Sequence, residues 1–230
     1  MPALVSVIIP VYNETNTIIQ VLESVSAVSI DKEVIVVDDG STDGTANKLG
    51  SLDYSRFSNI KVIHHTSNMG KGAAVLTGLS HASGEFVIIQ DADLEYDPQE
   101  YVALVNYARA NNLEVVYGSR LLSGLCSMSR MQYLANKLLT FTVNLLFFTK
   151  LTDMETCFKL VKRVILTGLK LKARRFEFEP EVTIKLLKKG YKIREVPVSY
   201  QGRSYAGGKK IKWSDGVYSL FFIFKLRLFS

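Results

Sequence analysis

Short apolar runs closed by turn-forming or acidic residues recur through the first 120 positions. Leu4–Ile9 is β-branched and apolar and stops at Pro10. Glu33–Val37, Ile60–Ile63, Phe86–Ile89 and Glu114–Gly118 repeat the pattern. Runs this short and this apolar predict buried strands of a parallel sheet. Between them the apolar spacing turns helical. Val11-Tyr12-Asn13-Glu14 leads as a loop into a helix of about fifteen residues, with Ile18, Ile19, Leu22 and Val25 on its inner face. A second helix follows Asn68-Met69-Gly70-Lys71-Gly72 and runs through His81; a third opens at Asp97-Pro98 and reaches about Asn111. Ser41 or Thr42 is placed to cap a helix after the second strand, with Asp43 near its positive end. This alternation predicts βαβ units, and right-handed crossovers then put helices on both faces of the sheet.

The second half is less regular. Residues 131–149 are apolar with Asn136, Lys137 and Asn144 interspersed, which reads as a helix that is core on one side and lipid-facing on the other. Glu155–Lys162 reads as a strand, Glu179–Lys189 as a helix and Lys192–Tyr200 as another strand. Trp213–Phe229 forms a last helix in which Phe221, Phe222, Ile223 and Phe224 are consecutive and Lys225 and Arg227 follow. Such a helix either lies in a membrane interface or docks on the core. No window offers the ~20 apolar residues needed to span a bilayer.

Composition narrows the picture. A chain of 230 residues, 47% hydrophobic, suits one large α/β domain or a domain with an appendage. Met1-Pro2-Ala3-Leu4 carries no basic region, which argues against a signal peptide. Cys126 and Cys157 form no metal or redox spacing, read as buried spectator thiols and fit a reducing cytoplasm. Charge is divided unevenly: residues 1–158 hold 10 basic and 17 acidic side chains, residues 159–230 hold 18 and 5, giving the net +6. The basic third is either a solvated face or an attraction for phosphates. It lacks interleaved base-stacking aromatics and any recognisable motif, so nucleic acid is not an expected partner.

The candidate chemistry sits at strand ends. Phe86–Ile89 runs into Gln90-Asp91-Ala92-Asp93, and ligands of open α/β sheets bind beyond the carboxyl ends of strands. The two acids are expected to face opposite ways, so that one can hold a cation while the other contacts a sugar or ribose. A hard divalent cation takes oxygen ligands and keeps waters and phosphates in its shell.

Three strings, VSVIIPVYNE at 5–14, VIVVDDGSTDGT at 34–45 and the acids at 91–93, together resemble the inverting glycosyltransferases of family two, with the GT-A nucleotide-sugar fold. GSR at 118–120, ETCFKLVKR at 155–163, FEFEPE at 176–181 and GRSYAGGKK at 202–210 are similar to the dolichyl-phosphate hexosyltransferase branch, which includes dolichyl-phosphate mannose synthases and relatives acting on polyprenyl phosphate. The resemblance covers roughly residues 4–216. It implies a mostly parallel, Rossmann-like sheet over residues 1–212, with a nucleotide-sugar half (1–120), an acceptor half (121–212) and an amphipathic helix at 213–230.

Residue roles follow from the resemblance. Pro10, Tyr12 and Glu14 would frame the base and ribose, with Val37 and Asp39 completing that pocket. Asp91 and Ala92 would contact the nucleotide-sugar, and Asp93 the metal, Mg²⁺ or Mn²⁺, with Glu95 as a second metal-shell oxygen. Arg120 would approach the phosphates, or simply pair with an acid. Arg203 and Lys209, on a Gly-rich loop, would close over diphosphate and acceptor phosphate, Arg as a planar fork and Lys as a point charge.

The implied activity is in-line transfer of a hexose from a UDP- or GDP-sugar to a polyprenyl phosphate, whose oxygen is already ionised and needs no base. Transfer to a saccharide hydroxyl in envelope polysaccharide assembly would need one. Glu179 or Glu181 could supply it, or could stabilise a helix start or pair with Arg174 and Arg175. An idle nucleotide-sugar-binding scaffold subunit is a further alternative. Many lipid-phosphate relatives carry C-terminal membrane helices. Without one, this chain is expected to meet its acceptor peripherally, on the cytoplasmic face, through 131–149 and the last helix, or through a membrane-protein partner.

Overall fold

A computed structural model describes residues 3–53, 55–57, 59–124, 126–203 and 213–229. The first half alternates as the sequence predicts: β1 (Val5–Val11), α1 (Ile18–Ser26), β2 (Lys32–Asp38), α2 (Thr45–Gly50), β3 (Ile60–His64), α3 (Lys71–His81), β4 (Phe86–Ile89), α4 (Tyr101–Ala110) and β5 (Val115–Ser119). There follow β6 (Cys126–Ser127), α5 (Arg130–Phe147), β7 (Lys159–Lys162), α6 (Arg163–Gly168), α7 (Phe178–Lys188), β8 (Arg194–Pro197), β9 (Tyr200–Gln201) and α8 (Trp213–Phe229). Seven strands form one sheet in the order β3-β2-β1-β4-β7-β5-β8, and β6 pairs with β9 in a small second sheet.

Pairing is parallel for β1–β2, β1–β4, β2–β3 and β5–β8. The register puts Val11 beside Asp38 and Ile8 beside Ile89, so the ends of β1, β2 and β4 open at one edge. Strand alternation buries both faces. Ile35 and Val37 pack with Ala74 of α3. Val34 and Val36 face the other way, into the cluster that holds Ile18, Leu22 and Val25 of α1.

Several expectations are corrected. β7 lies antiparallel between β4 and β5. It is only four residues long, because Thr156 and Cys157 bond out of the ladder: Cys157 N–H donates to Tyr96 Oη (3.1 Å) and the Thr156 hydroxyl to Gly118 O (2.6 Å). The strand expected over 192–200 is broken into β8 and β9, since Ser199 N–H turns to Glu100 (2.8 Å). α1 has nine residues rather than about fifteen. Neither Ser41 nor Thr42 caps α2. Ser41 Oγ accepts Asn13 N–H (2.9 Å), and Asp43 accepts Thr45 N–H (3.0 Å) behind Gly44, which takes φ +93°. Cys157 is buried as expected, whereas Cys126 is half-exposed.

The C-terminal helix does two things at once. Ile223 and Leu226 are buried against Leu139 and Val143 of α5 and Ile184 of α7, and Lys188 Nζ donates to the Leu226 carbonyl (2.7 Å). Its other face leaves Phe221, Phe224 and Leu228 exposed. α5 is likewise two-faced, opened by a Ser129/Gln132 capping box and exposing Met131, Leu134, Leu138, Phe141 and Leu145 at helical spacing. No helix among the described residues is long and apolar enough to cross a membrane.

Helix α3 approaches the sheet closely enough to need glycine. A Cβ on Gly78 would lie 2.5 Å from Cγ2 of Ile8, a fully buried β1 side chain. Gly78→Ala would gain ~1 kcal/mol in helix propensity but overpack a filled core, costing roughly 1–3 kcal/mol. The clash should win: urea denaturation is expected to report a net loss of stability. A net gain would mean that the helix–sheet gap can widen freely.

Candidate active site

A cavity of ≈ 810 Å³ opens where β1, β2 and β4 end. Pro10, Tyr12, Glu14, Asp39, Asp91, Ala92, Asp93, Glu95, Arg120, Glu179 and Arg203 all line it. Val37 does not; it is fully buried beneath, against α3. Lys209 lies outside the described residues.

The mouth is organised by three carboxylates and one guanidinium. Arg203 bonds Glu14 in a bidentate fork, Nη1 to Oε2 at 3.0 Å and Nη2 to Oε1 at 3.1 Å. The same Nη2 reaches Asp93 Oδ2 at 3.3 Å. Glu95 holds the Arg203 backbone, accepting its N–H at 2.7 Å, while its other oxygen accepts the Tyr200 hydroxyl at 2.6 Å. Burial pushes the Asp93 carboxyl up to about 7; Asp91 and Glu95 push the same way, and Arg203 opposes them. Hard oxygen donors in a desolvated, acid-rich corner suit a divalent cation, and Asp93 fits the ligand role. Glu95 fits it less well as it stands, because both of its oxygens are hydrogen-bonded. Among the described residues no three His, Cys, Asp or Glu side chains gather as a ligand set.

Deeper in, charges alternate. Lys71 Nζ lies 2.7 Å from Asp91 and 3.3 Å from Glu179, and Glu179 lies 2.6 Å from Lys159 Nζ. Burial favours a neutral Asp91, but the Lys71 ammonium outweighs it and holds the carboxyl below its usual range. Asp91 therefore faces Lys71 while Asp93 faces Arg203. Strand alternation would put i and i+2 on one face; the divergence arises because β4 ends at Ile89 and the chain turns over Ala92 and Asp93. Glu179 is a counterion at the start of α7, tied to two lysines. Glu181 is tied to Lys185 (2.8 Å) and to the N–H groups of Lys172 and Ala173. Neither carboxylate pairs with Arg174 or Arg175, the partners that sequence proximity suggested.

Asp39 has a heavy structural load. It accepts N–H bonds from Met69 (2.9 Å) and Gly70 (2.7 Å) and meets His65 Nδ1 at 2.7 Å, fixing the loop before α3 on the cavity rim. Arg120 both lines the cavity and pairs with an acid: Nε and Nη2 bond Asp153 at 2.7 and 2.8 Å, and its guanidinium stacks 5.1 Å from the Tyr200 ring. Arg120 and Met128 also line an adjoining recess of ≈ 440 Å³ walled by Leu121, Tyr133 and Leu134.

Sequence reasoning missed several wall residues, among them Lys71, Glu155, Cys157 and Arg175. For Lys71 a signal was present, a lysine between glycines at a helix start. Glu155 and Cys157 lie in the ETCFKLVKR string that carries part of the resemblance, although no role followed from it; Arg175 carried no signal.

Comparisons with known proteins give the family and the fold. The profile described as Glycosyl transferase family 2 matches residues 6–169. A dolichyl-phosphate beta-glucosyltransferase of Trichomonas vaginalis is 31% identical over 216 residues, covering 85% of this chain and 65% of the relative. A dolichol-phosphate mannosyltransferase of Pyrococcus furiosus is 30% identical over 219 residues, 90% of this chain and 60% of the relative. The chain thus spans somewhat under two thirds of these relatives. Glucosyl-3-phosphoglycerate synthase of Mycobacterium tuberculosis shares the fold. Its complex with Mn²⁺, UDP and phosphoglyceric acid superposes with a TM-score of 0.73 at 18% identity, covering 99% of this chain and 80% of that one. Its complex with Mn²⁺, UDP and glucosyl-3-phosphoglycerate gives 0.71 at 19%, covering 98% and 80%.

The acid cluster makes a testable demand on stability. A folded carboxyl raised to about 7 binds its proton more tightly than the unfolded one at about 4. Its contribution is therefore intact below pH ~4, is lost as pH rises to 7, and leaves a standing penalty above. In chelator, Asp93→Asn should unfold at higher urea than wild type at pH 8, by an amount on the order of 1–3 kcal/mol, and at the same urea near pH 4. Equal stability at pH 8 would show that Asp93 is not destabilised by its neighbours.

Proposed function

The chain belongs to glycosyl transferase family 2, and from that premise we propose that it moves a hexose from a UDP- or GDP-sugar to a polyprenyl, dolichyl-type phosphate with inversion at the anomeric carbon. One observation carries the reading: the acids at the ends of β1, β2 and β4, the arginine from beyond β9 and an apolar recess meet in one place, with Arg120 shared between recess and cavity. The names of the two curated relatives favour the same acceptor class.

In this scheme the nucleotide lies along Pro10, Tyr12 and the loop fixed by Asp39, and Asp91 orients the sugar. Asp93, with Glu95 as a second oxygen, would hold Mg²⁺ or Mn²⁺, whose chemistry there would be charge neutralisation on the departing diphosphate. Arg203 then turns from Glu14 and Asp93 to the diphosphate, exchanging carboxylate partners for phosphate ones of the same geometry. Lys209 would add a second charge to that loop. The acceptor phosphate is already ionised, so the counterion state of Glu179 is no obstacle. Arg120, anchored by Asp153, is placed to meet the acceptor phosphate with the prenyl chain in the neighbouring recess. A saccharide acceptor remains the second reading; the walls of the recess, Leu121, Tyr133 and Leu134, suit it less.

The exposed stripes of α5 and α8 would lie on the cytoplasmic surface of a membrane. Arg130, Lys137, Lys225 and Arg227 on the same helices suit anionic head groups. Purified protein given radiolabelled UDP-glucose or GDP-mannose, Mn²⁺ or Mg²⁺ and undecaprenyl phosphate in liposomes should yield butanol-extractable label. Leu138→Glu with Phe141→Glu, both exposed on α5 and outside the recess and the cavity, should reduce liposome flotation and label together, while sparing transfer to a detergent-dispersed short-chain prenyl phosphate. Label found only in saccharide would replace this reading with the second one.

A further inference from the structure

The turn that precedes β7 carries a carboxyl for which the transfer scheme has no role. Its backbone is pinned from several directions. Thr152 and Asp153 donate N–H bonds to the Glu195 carboxylate (2.8 and 3.0 Å), Met154 donates to Thr140 Oγ1 (3.1 Å) and Cys157 to Tyr96 Oη (3.1 Å). A turn held this way fixes where the side chain between them points. Glu155 points into the cavity wall that Arg120, Cys157 and Glu179 also form. There its Oε1 is buried and has no hydrogen-bond partner. The cations facing it are committed elsewhere: Arg120 to Asp153, and Lys159 to Glu179 and the Thr156 carbonyl.

The groups that face Glu155 are Lys159 and Asp153 from its own segment, Arg120 from the end of β5 and Glu179 from α7. Two are positive and two negative, so their influences largely offset, and burial decides, pushing the carboxyl up to about 7. A desolvated carboxyl without a dedicated counterion is most stable as the neutral acid. The neutral acid has an O–H to donate; Oε1 bonds no group of the wall, and the Glu179 and Asp153 carboxylates that face it are already held by Lys71, Lys159 and Arg120. In a cavity that takes phosphates this form has an advantage, because it can bond a phosphate oxygen without adding a negative charge to repel it. A bound phosphate would in turn hold the proton on more tightly.

We propose that Glu155 keeps its proton and donates it in a hydrogen bond to a phosphate oxygen of the bound reactants, acting as a neutral phosphate-recognition group in the transferase site. The assignment rests on the transferase reading of the cavity. The phosphate is either the acceptor monophosphate or the donor diphosphate, and kinetics separates the two.

Infrared difference spectra of wild type against Glu155→Gln read the proton directly in the free protein. A protonated-carboxyl carbonyl band is expected that titrates out near pH 7 and moves to higher pH when inorganic phosphate is added at constant ionic strength. A carboxylate already ionised at pH 6, or a midpoint indifferent to phosphate, overturns the proposal. In the transfer assay, KM for the reactant that supplies the oxygen should rise roughly fivefold between pH 7 and 8 in wild type. The rise should vanish in Glu155→Gln, whose amide still donates, and which should lose far less affinity than Glu155→Ala. A rate that instead climbs through this range and collapses in Glu155→Gln identifies a general base for a hydroxyl acceptor, and also overturns the proposal. Because the infrared measurement needs no turnover, a phosphate-sensitive band in a protein with no transferase activity would sink the transferase reading and leave the Glu155 assignment intact.

Discussion

Three carboxylates, Glu14, Asp93 and Glu95, are brought to one point by the ends of two neighbouring strands, and the guanidinium of Arg203 keeps them there. Like charges this close repel, yet the parallel ladder between β1 and β4 leaves the backbone no freedom to separate them. Arg203 is fixed reciprocally: Glu95 accepts its backbone N–H, and the Glu95 carbonyl accepts that of Gln201 (2.9 Å). The acids thus position the arginine, and the arginine makes the acids tolerable. A charged ligand must enter by exchange, replacing partners the protein already supplies.

Beneath this mouth the chain Asp91–Lys71–Glu179–Lys159 continues the same logic into the core. Buried ion pairs of this kind rarely add net stability. Here each places a side chain that the cavity uses: Lys71 turns Asp91 away from Asp93, and Asp153 holds the Arg120 fork against Tyr200. Glu195 has the humblest position and a wide effect, since it fixes the turn from which both Asp153 and Glu155 project.

Much of this was legible in the sequence, and the reason is local. A β-branched run followed by an acid announces both a strand and what lies beyond its end, so Asp39, Asp91 and Asp93 could be placed without coordinates. What escaped depends on contacts across long stretches of chain. Antiparallel β7 looked like a longer strand because nothing near Glu155 reveals that Tyr96 and Gly118 will claim its neighbours. Glu179 stayed open between a base, a helix-start charge and a partner of Arg174 or Arg175, because its two lysines come from 20 and 108 residues away. Val37 looked like pocket lining because the resemblance implied it, while strand alternation turns it into the core against Ala74. The last helix posed a choice between docking and membrane contact, and its two faces are suited to both.

The proposed function requires that Arg203 and a divalent cation compete for the same acids. Mn²⁺ binding without nucleotide, followed by electron paramagnetic resonance, measures that competition in wild type and in Arg203→Gln. Removing the guanidinium frees Asp93 and Glu95 as oxygen donors, so the variant should bind Mn²⁺ more tightly than wild type. Equal or weaker binding would contradict the account, because it would mean that Arg203 supports the cation site instead of occupying it.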